Sequence, residues 1–213
     1  GGLGGFRGSI NAYLVEDVLI DARTKQSKGR ILSEISDRPL SLVALTHVHP
    51  DHQGAAKAVC EARGVPLACH ADGVEKMEGR APVMEEAADH PLSGIVSKLW
   101  EGPPHEVARL LQEGDEVAGF RVVHAPGHSV DEVIYFRDSD RVAICGDVIN
   151  TMSLLTTIPG AHEPPDAFNQ DPAENRRSIR KLLELEPSLI CAGHGPPMRD
   201  LRSLRELVAS FER

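Results

Sequence analysis

The chain has 213 residues, enough for one large domain or two small ones, and 41% of them are hydrophobic, as in ordinary globular proteins. The formal net charge of −9 argues against nonspecific nucleic-acid binding, which needs clustered Lys and Arg side chains to neutralise phosphates. No apolar run approaches the length of a membrane span, so no membrane contact is expected.

The first half of the chain predicts strands and helices in alternation. Residues 9–15 and 18–21 are strand-like runs around a polar turn, which indicates a hairpin. Residues 40–47 form a continuous apolar run that is typical of a strand buried on both faces. Small apolar residues at helical spacing predict a helix over 54–64 that stops at Gly64, and 65–71 is the next predicted strand.

Two stretches of the chain predict irregular structure. Residues 78–115 are interrupted by Pro and Gly and contain short helical pieces, and 150–170 is a second irregular stretch. Three strands are predicted between them, in the runs "GFRVVHA", "EVIYFRD" and "RVAICGD". We interpret both stretches as loop excursions from a single domain that spans residues 1–213.

The end of the chain predicts two helices around a last strand. Asp171 as N-cap, Pro172 and Glu174 form a helix start with a capping box, and this helix should run to about Leu185. A strand follows in "SLICAGHGPP", and residues 201–212 have the spacing of an amphipathic helix. The alternation predicts a layered α/β fold with helices outside and sheets inside.

Candidate metal ligands stand at the predicted strand ends. The strand that ends near residue 45 is followed by four of them, and three later strands are followed by one each: His47, His49, Asp51, His52, His128, Asp147 and His194. Any one of these residues alone is more often a packing or surface residue. Their combination at strand ends favours a metal site, because loops on a rigid scaffold carry function.

The spacing of these residues also suggests how they bind. Residues two apart in an extended backbone point to the same side, so His47 and His49 can hold one ion together. Asp51 and His52, just past a turn, can face a second ion. His128 would complete the first ligand set and His194 the second, and the two oxygens of Asp147 can bridge both. Imidazole and carboxylate ligands suit zinc first, with iron or manganese as alternatives.

These motifs, in this order, resemble the metallo-β-lactamase superfamily of hydrolases. The likeness rests on His47-x-His49-x-Asp51-His52, Pro126-Gly127-His128, Gly146-Asp147 and Gly193-His194-Gly195-Pro196, and "NAYLVEDVLIDA" resembles the family's opening hairpin. The resemblance implies a four-layer αββα sandwich with two metal ions: one on His47, His49 and His128, the other on Asp51, His52 and His194, and Asp147 between them. The family's hairpin usually ends Asp-Thr-Gly, whereas this chain has Asp21-Ala22-Arg23; we expect Asp21 to orient a ligand histidine.

The resemblance favours a glyoxalase II-like or lactonase-like branch over true β-lactamases, whose motif more often reads His-x-His-x-Asp-Cys. We expect a dinuclear centre that activates hydroxide to cleave an ester, thioester or lactone of a small molecule, with Asp51 helping to pass the proton. Asn150, Trp100 and Phe168 are candidate substrate contacts. The alternative is an oxidoreductase, a persulfide dioxygenase with a single iron.

The cysteines bear on the cellular compartment. None of the four (Cys60, Cys69, Cys145, Cys191) belongs to a CxxC pair, and all lie in or beside apolar runs, which indicates buried reduced thiols of a cytoplasmic protein. The first ten residues show no basic-then-apolar signal pattern. A homodimer is one option for the oligomeric state.

Overall fold

The computed structural model describes residues 10–84 and 93–212. The chain divides into two compact units: an N-terminal unit, Ala12–Gln112, and a C-terminal unit made of Gly1–Asn11 and Glu113–Arg213. Each unit has its own five-stranded sheet and its own apolar core. The single domain predicted over 1–213 stays a prediction.

The N-terminal unit contains five strands and five α-helices in its described part. Its strands are β1 Tyr13–Val15, β2 Val18–Ile20, β3 Leu42–Ala44, β4 Leu67–His70 and β5 Arg109–Leu111. Its helices are α1 Lys28–Glu34, α2 Pro50–Gln53, α3 Ala56–Arg63, α4 Val74–Met77 and α5 Ser93–Trp100. The sheet order is β1-β2-β3-β4-β5, antiparallel between β1 and β2 and parallel elsewhere.

The strand predictions for this unit are confirmed. β1 and β2 form the predicted hairpin, and every residue of β3 is buried, as expected of a strand covered on both faces. α3 ends where predicted, at Gly64, which has a φ of 65° and so adopts the left-handed conformation that glycine tolerates best. Ile31 of α1 and Val59 of α3 pack with Val43 of β3 in one buried cluster, so these helices cover a face of the sheet.

The C-terminal unit contains seven strands and two α-helices in its described part. Its strands are β6 Glu116–Val117, β7 Phe120–His124, β8 Val133–Arg137, β9 Val142–Ile144, β10 Asn150–Met152, β11 Pro159–His162 and β12 Leu189–Cys191. Its helices are α6 Pro172–Glu184 and α7 Arg202–Ser210. The five-stranded sheet has the order β12-β9-β8-β7-β6, parallel between β12 and β9 and antiparallel elsewhere.

The helix predictions for this unit are confirmed, and both loop predictions are wrong in part. Asp171 caps α6 by accepting a hydrogen bond from the backbone N–H of Glu174 at 2.9 Å, and Leu204 of α7 is fully buried in the core of the unit. The predicted irregular stretch 150–170, however, contains a two-stranded antiparallel sheet of β10 and β11. The first excursion, 78–115, contains α5, as its predicted helical pieces suggest, but also the strand β5, which was not predicted and which pairs with β4. Residues 85–92 lie outside the described part.

The four cysteines are free and buried, as the sequence predicts. Within the described residues, no helix is both long and apolar enough to cross a lipid bilayer.

Candidate functional site

The predicted ligands of the N-terminal unit lie directly after β3. His47 and His49 are in the loop, and α2 carries Asp51 and His52. The three imidazole rings are buried, with His47 and His52 fully enclosed, and Asp51 is half-buried. The ring centroids of His47 and His52 are 4.1 Å apart, and His47 Nε2 lies 3.0 Å from His49 Nδ1. Pro50 at the start of α2 fixes the turn that follows His49.

Asp21 holds this loop from the end of β2. Its carboxylate is buried and accepts hydrogen bonds from Thr46 N–H at 2.8 Å and from the Thr46 hydroxyl at 2.9 Å. It also contacts His52 Nδ1 at 2.9 Å. An acidic partner on Nδ1 keeps the proton there and places the ring's lone pair on Nε2, the arrangement that a metal-binding histidine needs. Asp21 therefore has the orienting role that the sequence suggests for it.

Thr46 belongs to this loop as well, although it was not predicted as a site residue. Its hydroxyl lies 3.1 Å from His47 Nδ1 and also donates to Asp21. The buried carboxylate of Asp21 therefore contacts His52 directly and is connected to His47 through Thr46. The position of Thr46 immediately before His47, at the end of a buried strand, was the available signal.

The predicted ligands of the C-terminal unit come from three strand ends. His128 follows β7, Asp147 follows β9 and His194 follows β12, and all three are buried. Asp147 Oδ2 lies 3.1 Å from His194 Nε2 and 3.7 Å from His128 Nε2. The structure thus brings together three residues that are far apart in sequence.

The pairing of β9 with β12 explains the proximity of Asp147 and His194. The strands are parallel, and Ile144 is opposite Cys191. Asp147 and His194 each follow three residues later, so they emerge at the same end of the sheet. The Gly193 N–H donates to Gly146 O at 2.6 Å and extends the pairing into the loops.

Asn169 holds the ring of His128. Its Oδ1 lies 2.9 Å from His128 Nδ1, while its Nδ2 donates to Pro164 O at 3.2 Å, which fixes the orientation of the amide. The His128 proton therefore lies on Nδ1 and the lone pair on Nε2, the nitrogen that faces Asp147. Asn169 was not predicted, because an isolated Asn in an irregular stretch carries no local signal.

Gly127 allows the His128 loop to approach α6. Its φ is +132°, and a Cβ at this position would lie 2.1 Å from the backbone nitrogen of Asn175. No side chain fits in that space, so the turn before His128 requires glycine. Glu132, also missed in the sequence analysis, is fully buried and accepts a hydrogen bond from Asp147 N–H at 3.3 Å.

The predicted substrate residues lie on three different elements of the described structure. Asn150 begins β10 and is 1% exposed, and its Oδ1 has no hydrogen-bond partner among residues 10–84 and 93–212. Trp100 ends α5 and Phe168 ends a 3₁₀ turn, and both are half-buried. Between β10 and β11, Leu155 is 92% exposed.

Buried histidines and carboxylates that follow the strands of α/β sheets offer nitrogen and oxygen donors that suit zinc or iron. The family model of the metallo-beta-lactamase superfamily matches residues 5–194. The chain belongs to this superfamily of metallo-hydrolases, and the predicted α/β fold of the family is confirmed.

Three proteins that are similar to this chain illustrate its relation to the superfamily. The probable metallo-hydrolase YflN of Bacillus subtilis (strain 168) is 32% identical over 201 residues, which cover 85% of this chain and 76% of the relative. The acyl-coenzyme A thioesterase MBLAC2 of Gallus gallus is 33% identical over 131 residues, 57% of this chain and 46% of the relative. The crystal structure of TTHA1623 in a di-iron-bound form matches with a TM-score of 0.71 and 29% identity, covering 94% of this chain and 96% of that one.

Proposed function

We propose that this enzyme is a metal-dependent hydrolase that cleaves an ester, thioester or lactone of a small molecule. The observation that carries the proposal is the pair of candidate ligand sets, His47, His49, Asp51 and His52 in one unit and His128, Asp147 and His194 in the other. All of these side chains are buried except that of Asp51, which is half-buried. We assign these seven residues as ligands of two divalent ions, with Asp147 contributing to both. The thioesterase relative supports the thioester as one substrate class.

The donor chemistry of the two sets fits such ions. Imidazole nitrogens and carboxylate oxygens suit zinc and iron, and Asp21 and Asn169 hold Nδ1 of His52 and of His128 so that each Nε2 presents its lone pair. When bound, divalent ions of this kind lower the pKa of a water molecule and polarise a carbonyl oxygen. Zinc is our first assignment. Iron is the alternative, since TTHA1623 was solved with two iron ions.

The protein's own groups then have distinct tasks. Asp51 is the half-buried member among the buried ligands, so its carboxylate can accept a proton from the attacking water and return it to solvent. Asp21 and Asn169 keep the rings from rotating, which limits the cost of reorganisation during the reaction. Low exposure of the histidines excludes bulk water and strengthens every electrostatic contact there.

The test compares metal content with hydrolysis. We expect His47→Ala and Asp147→Ala each to lower bound metal, measured by mass spectrometry, and to lower hydrolysis of a panel of esters, thioesters, lactones and β-lactams by about 100-fold or more. His105→Ala is the matched control, because this histidine belongs to neither ligand set. Wild-type metal content and activity in both ligand variants would refute the proposal.

The same preparation tests the persulfide dioxygenase alternative. Two ions per chain with chelator-sensitive hydrolysis support the hydrolase. One iron per chain, with oxygen uptake on glutathione persulfide and no hydrolysis of the panel, would overturn the hydrolase proposal in favour of the persulfide dioxygenase.

A further inference from the structure

Arg23 occupies a strained backbone position at the end of the opening hairpin. Its φ is 57°, and that of Asp21 is 60°. Left-handed φ values are unfavourable for residues with a Cβ, and they persist where the surrounding structure imposes them. Glycine would be the favourable residue here, so an arginine side chain at this position requires a compensating reason.

The backbone beside Arg23 is fixed to a proposed metal ligand. The Ala22 N–H donates to His52 O at 2.7 Å, and the Asp21 carboxylate contacts His52 Nδ1 at 2.9 Å. Both residues that precede Arg23 are therefore hydrogen-bonded to the same histidine. This anchoring places the start of the Arg23 side chain next to the ligand loop of its unit.

The guanidinium group of Arg23 has a buried nitrogen for which residues 10–84 and 93–212 supply no partner. Its Nε is buried and has no hydrogen-bond acceptor among the residues that the structure describes. None of the carboxylates in that part of the chain forms an ion pair with it either. A buried N–H donor on a charged group is costly to leave without an acceptor, which indicates that its acceptor lies outside the described part of the chain.

Arg141 shows that a left-handed backbone position alone does not leave an arginine side chain without hydrogen-bond acceptors. Its φ is 58°, almost the same as that of Arg23. Its guanidinium, however, donates to Glu186 O at 2.9 Å and to Leu185 O at 2.5 Å. Arg141 thus has a structural role at a loop junction, whereas the contacts of Arg23 give it none.

Building on the proposed hydrolase function, we propose that Arg23 binds an anionic group of the substrate through its Nε–H and a neighbouring Nη–H. The planar fork of a guanidinium matches the two oxygens of a carboxylate, sulfate or phosphate. The substrate class is accordingly an ester, thioester or lactone that carries a negative charge away from the reacting carbonyl. Arg23 contributes specificity, since it recognises a group that does not react.

The first experiment uses two esters that differ in one charge. 4-Nitrophenyl hydrogen adipate has a free carboxylate, and its methyl ester has the same chain without the charge. In the wild type, kcat/KM should favour the anionic ester. Arg23→Gly should lower the anionic-to-neutral ratio by roughly 10- to 100-fold, the range of a hydrogen bond to a charged group. Arg23→Lys keeps the charge but loses the fork, so we expect a loss of about 3- to 10-fold.

Arg141→Gly is the matched control. It removes an arginine at the same φ and lowers the net charge equally, so it should leave the ratio within about twofold of the wild type. Thermal unfolding should separate the two glycine variants as well. Arg23→Gly relieves strain without losing a hydrogen bond, so its Tm should rise by about 2 °C, whereas the Tm of Arg141→Gly should not rise.

The second experiment observes the guanidinium itself. In ¹⁵N–¹H spectra of the zinc-loaded protein, the Arg23 Nε–H resonance, assigned by its loss in Arg23→Lys, should shift saturably with sodium sulfate or succinate. The Arg141 resonance should not shift. If only one of the two anions gives a saturable shift, that anion indicates whether the anionic group of the substrate is sulfate-like or a carboxylate.

These outcomes separate this proposal from the proposed function. If both esters are hydrolysed and Arg23→Gly lowers their rates equally, the hydrolase assignment stands and the Arg23 proposal is overturned. If neither ester is hydrolysed but the Arg23 resonance saturates, anion binding stands and the substrate assignment fails. A resonance that does not respond, together with an unchanged ratio, overturns the Arg23 proposal.

Discussion

The proposed ligands of the N-terminal unit occupy one loop and one helical turn, whereas those of the C-terminal unit come from three separate strand ends. The supporting contacts differ in the same way. Asp21 and Thr46 form a buried network of side chains around the first set. The second set depends on strand pairing and on single contacts from Asn169 and Glu132. A clustered set needs a carboxylate to keep crowded rings in one arrangement, while a dispersed set obtains its arrangement from the sheet.

The largest expected effect is a loss of stability on substitution of Asp21, which supports the clustered ligand set. Asp21→Ala leaves the buried N–H of Thr46 and the ring N–H of His52 without their acceptor. Because buried donors that lose an acceptor carry the full desolvation cost, we expect the free energy of unfolding to fall by about 3 kcal/mol or more. Urea denaturation measures this change.

Asp37→Ala is the control for Asp21, because Asp37 is exposed. It should change the free energy of unfolding by less than about 0.5 kcal/mol. If Asp21→Ala changes the free energy of unfolding as little as this control does, the carboxylate does not hold the loop. The proposed difference between the two ligand sets would then disappear.

Asn169 tests the dispersed set. Asn169→Ala removes the acceptor for His128 Nδ1–H, so the ring can rotate or change tautomer. Loss of such a partner typically costs 10- to 100-fold in metal affinity, and we expect a decrease of about that size in competition with a chromophoric chelator. Asn169→Asp retains an oxygen acceptor for Nδ1–H but loses the donor to Pro164 O, so it should lose less affinity than Asn169→Ala. Equal losses in both variants would contradict the positioning role.

Asp171 tests the stability of α6 at a residue that is not a proposed metal ligand. Its side chain accepts the Glu174 N–H at the start of α6, so Asp171→Ala should lower the free energy of unfolding by about 1 kcal/mol. The variant should leave metal affinity unchanged, which separates it from Asn169→Ala. A loss of metal affinity would show that the His128 loop depends on the α6 cap, through the bond from Asp171 N–H to Gly127 O.

The same contrast explains what the sequence could predict. The opening hairpin, the stop at Gly64 and the cap at Asp171 follow from neighbouring residues, and each was predicted. The clustered ligands could be found from one short motif. By contrast, the contact between His128 and Asn169 spans 41 positions, and no local pattern marks the asparagine. The short strands β10 and β11 were missed because their pairing contains an irregularity and their residues do not alternate between apolar and polar.

The smallest expected effect concerns the reactivity of the buried cysteines. If thiols of the two units reacted with a reagent at different rates, the two units would differ in rigidity, which the comparison of the two ligand sets does not predict. Burial raises the pKa of Cys60 in the N-terminal unit to about 12 and that of Cys191 in the C-terminal unit to about 11. Burial is also the main cause of the raised pKa of Cys145. Thiolate, not thiol, is the nucleophile, so at pH 8 these three cysteines should not react with Ellman's reagent in the folded protein.

Unfolding in guanidinium chloride should expose all four thiols to the reagent, since none is in a disulfide. The ratio of native to unfolded labelling should therefore be close to zero for both units. Peptide mapping after a short labelling pulse locates any reactive site. Fast native labelling of Cys145 or Cys191 but not of Cys60 would show that the C-terminal sheet opens more readily than the N-terminal one. The dispersed ligand set would then rest on a less rigid scaffold than strand pairing implies.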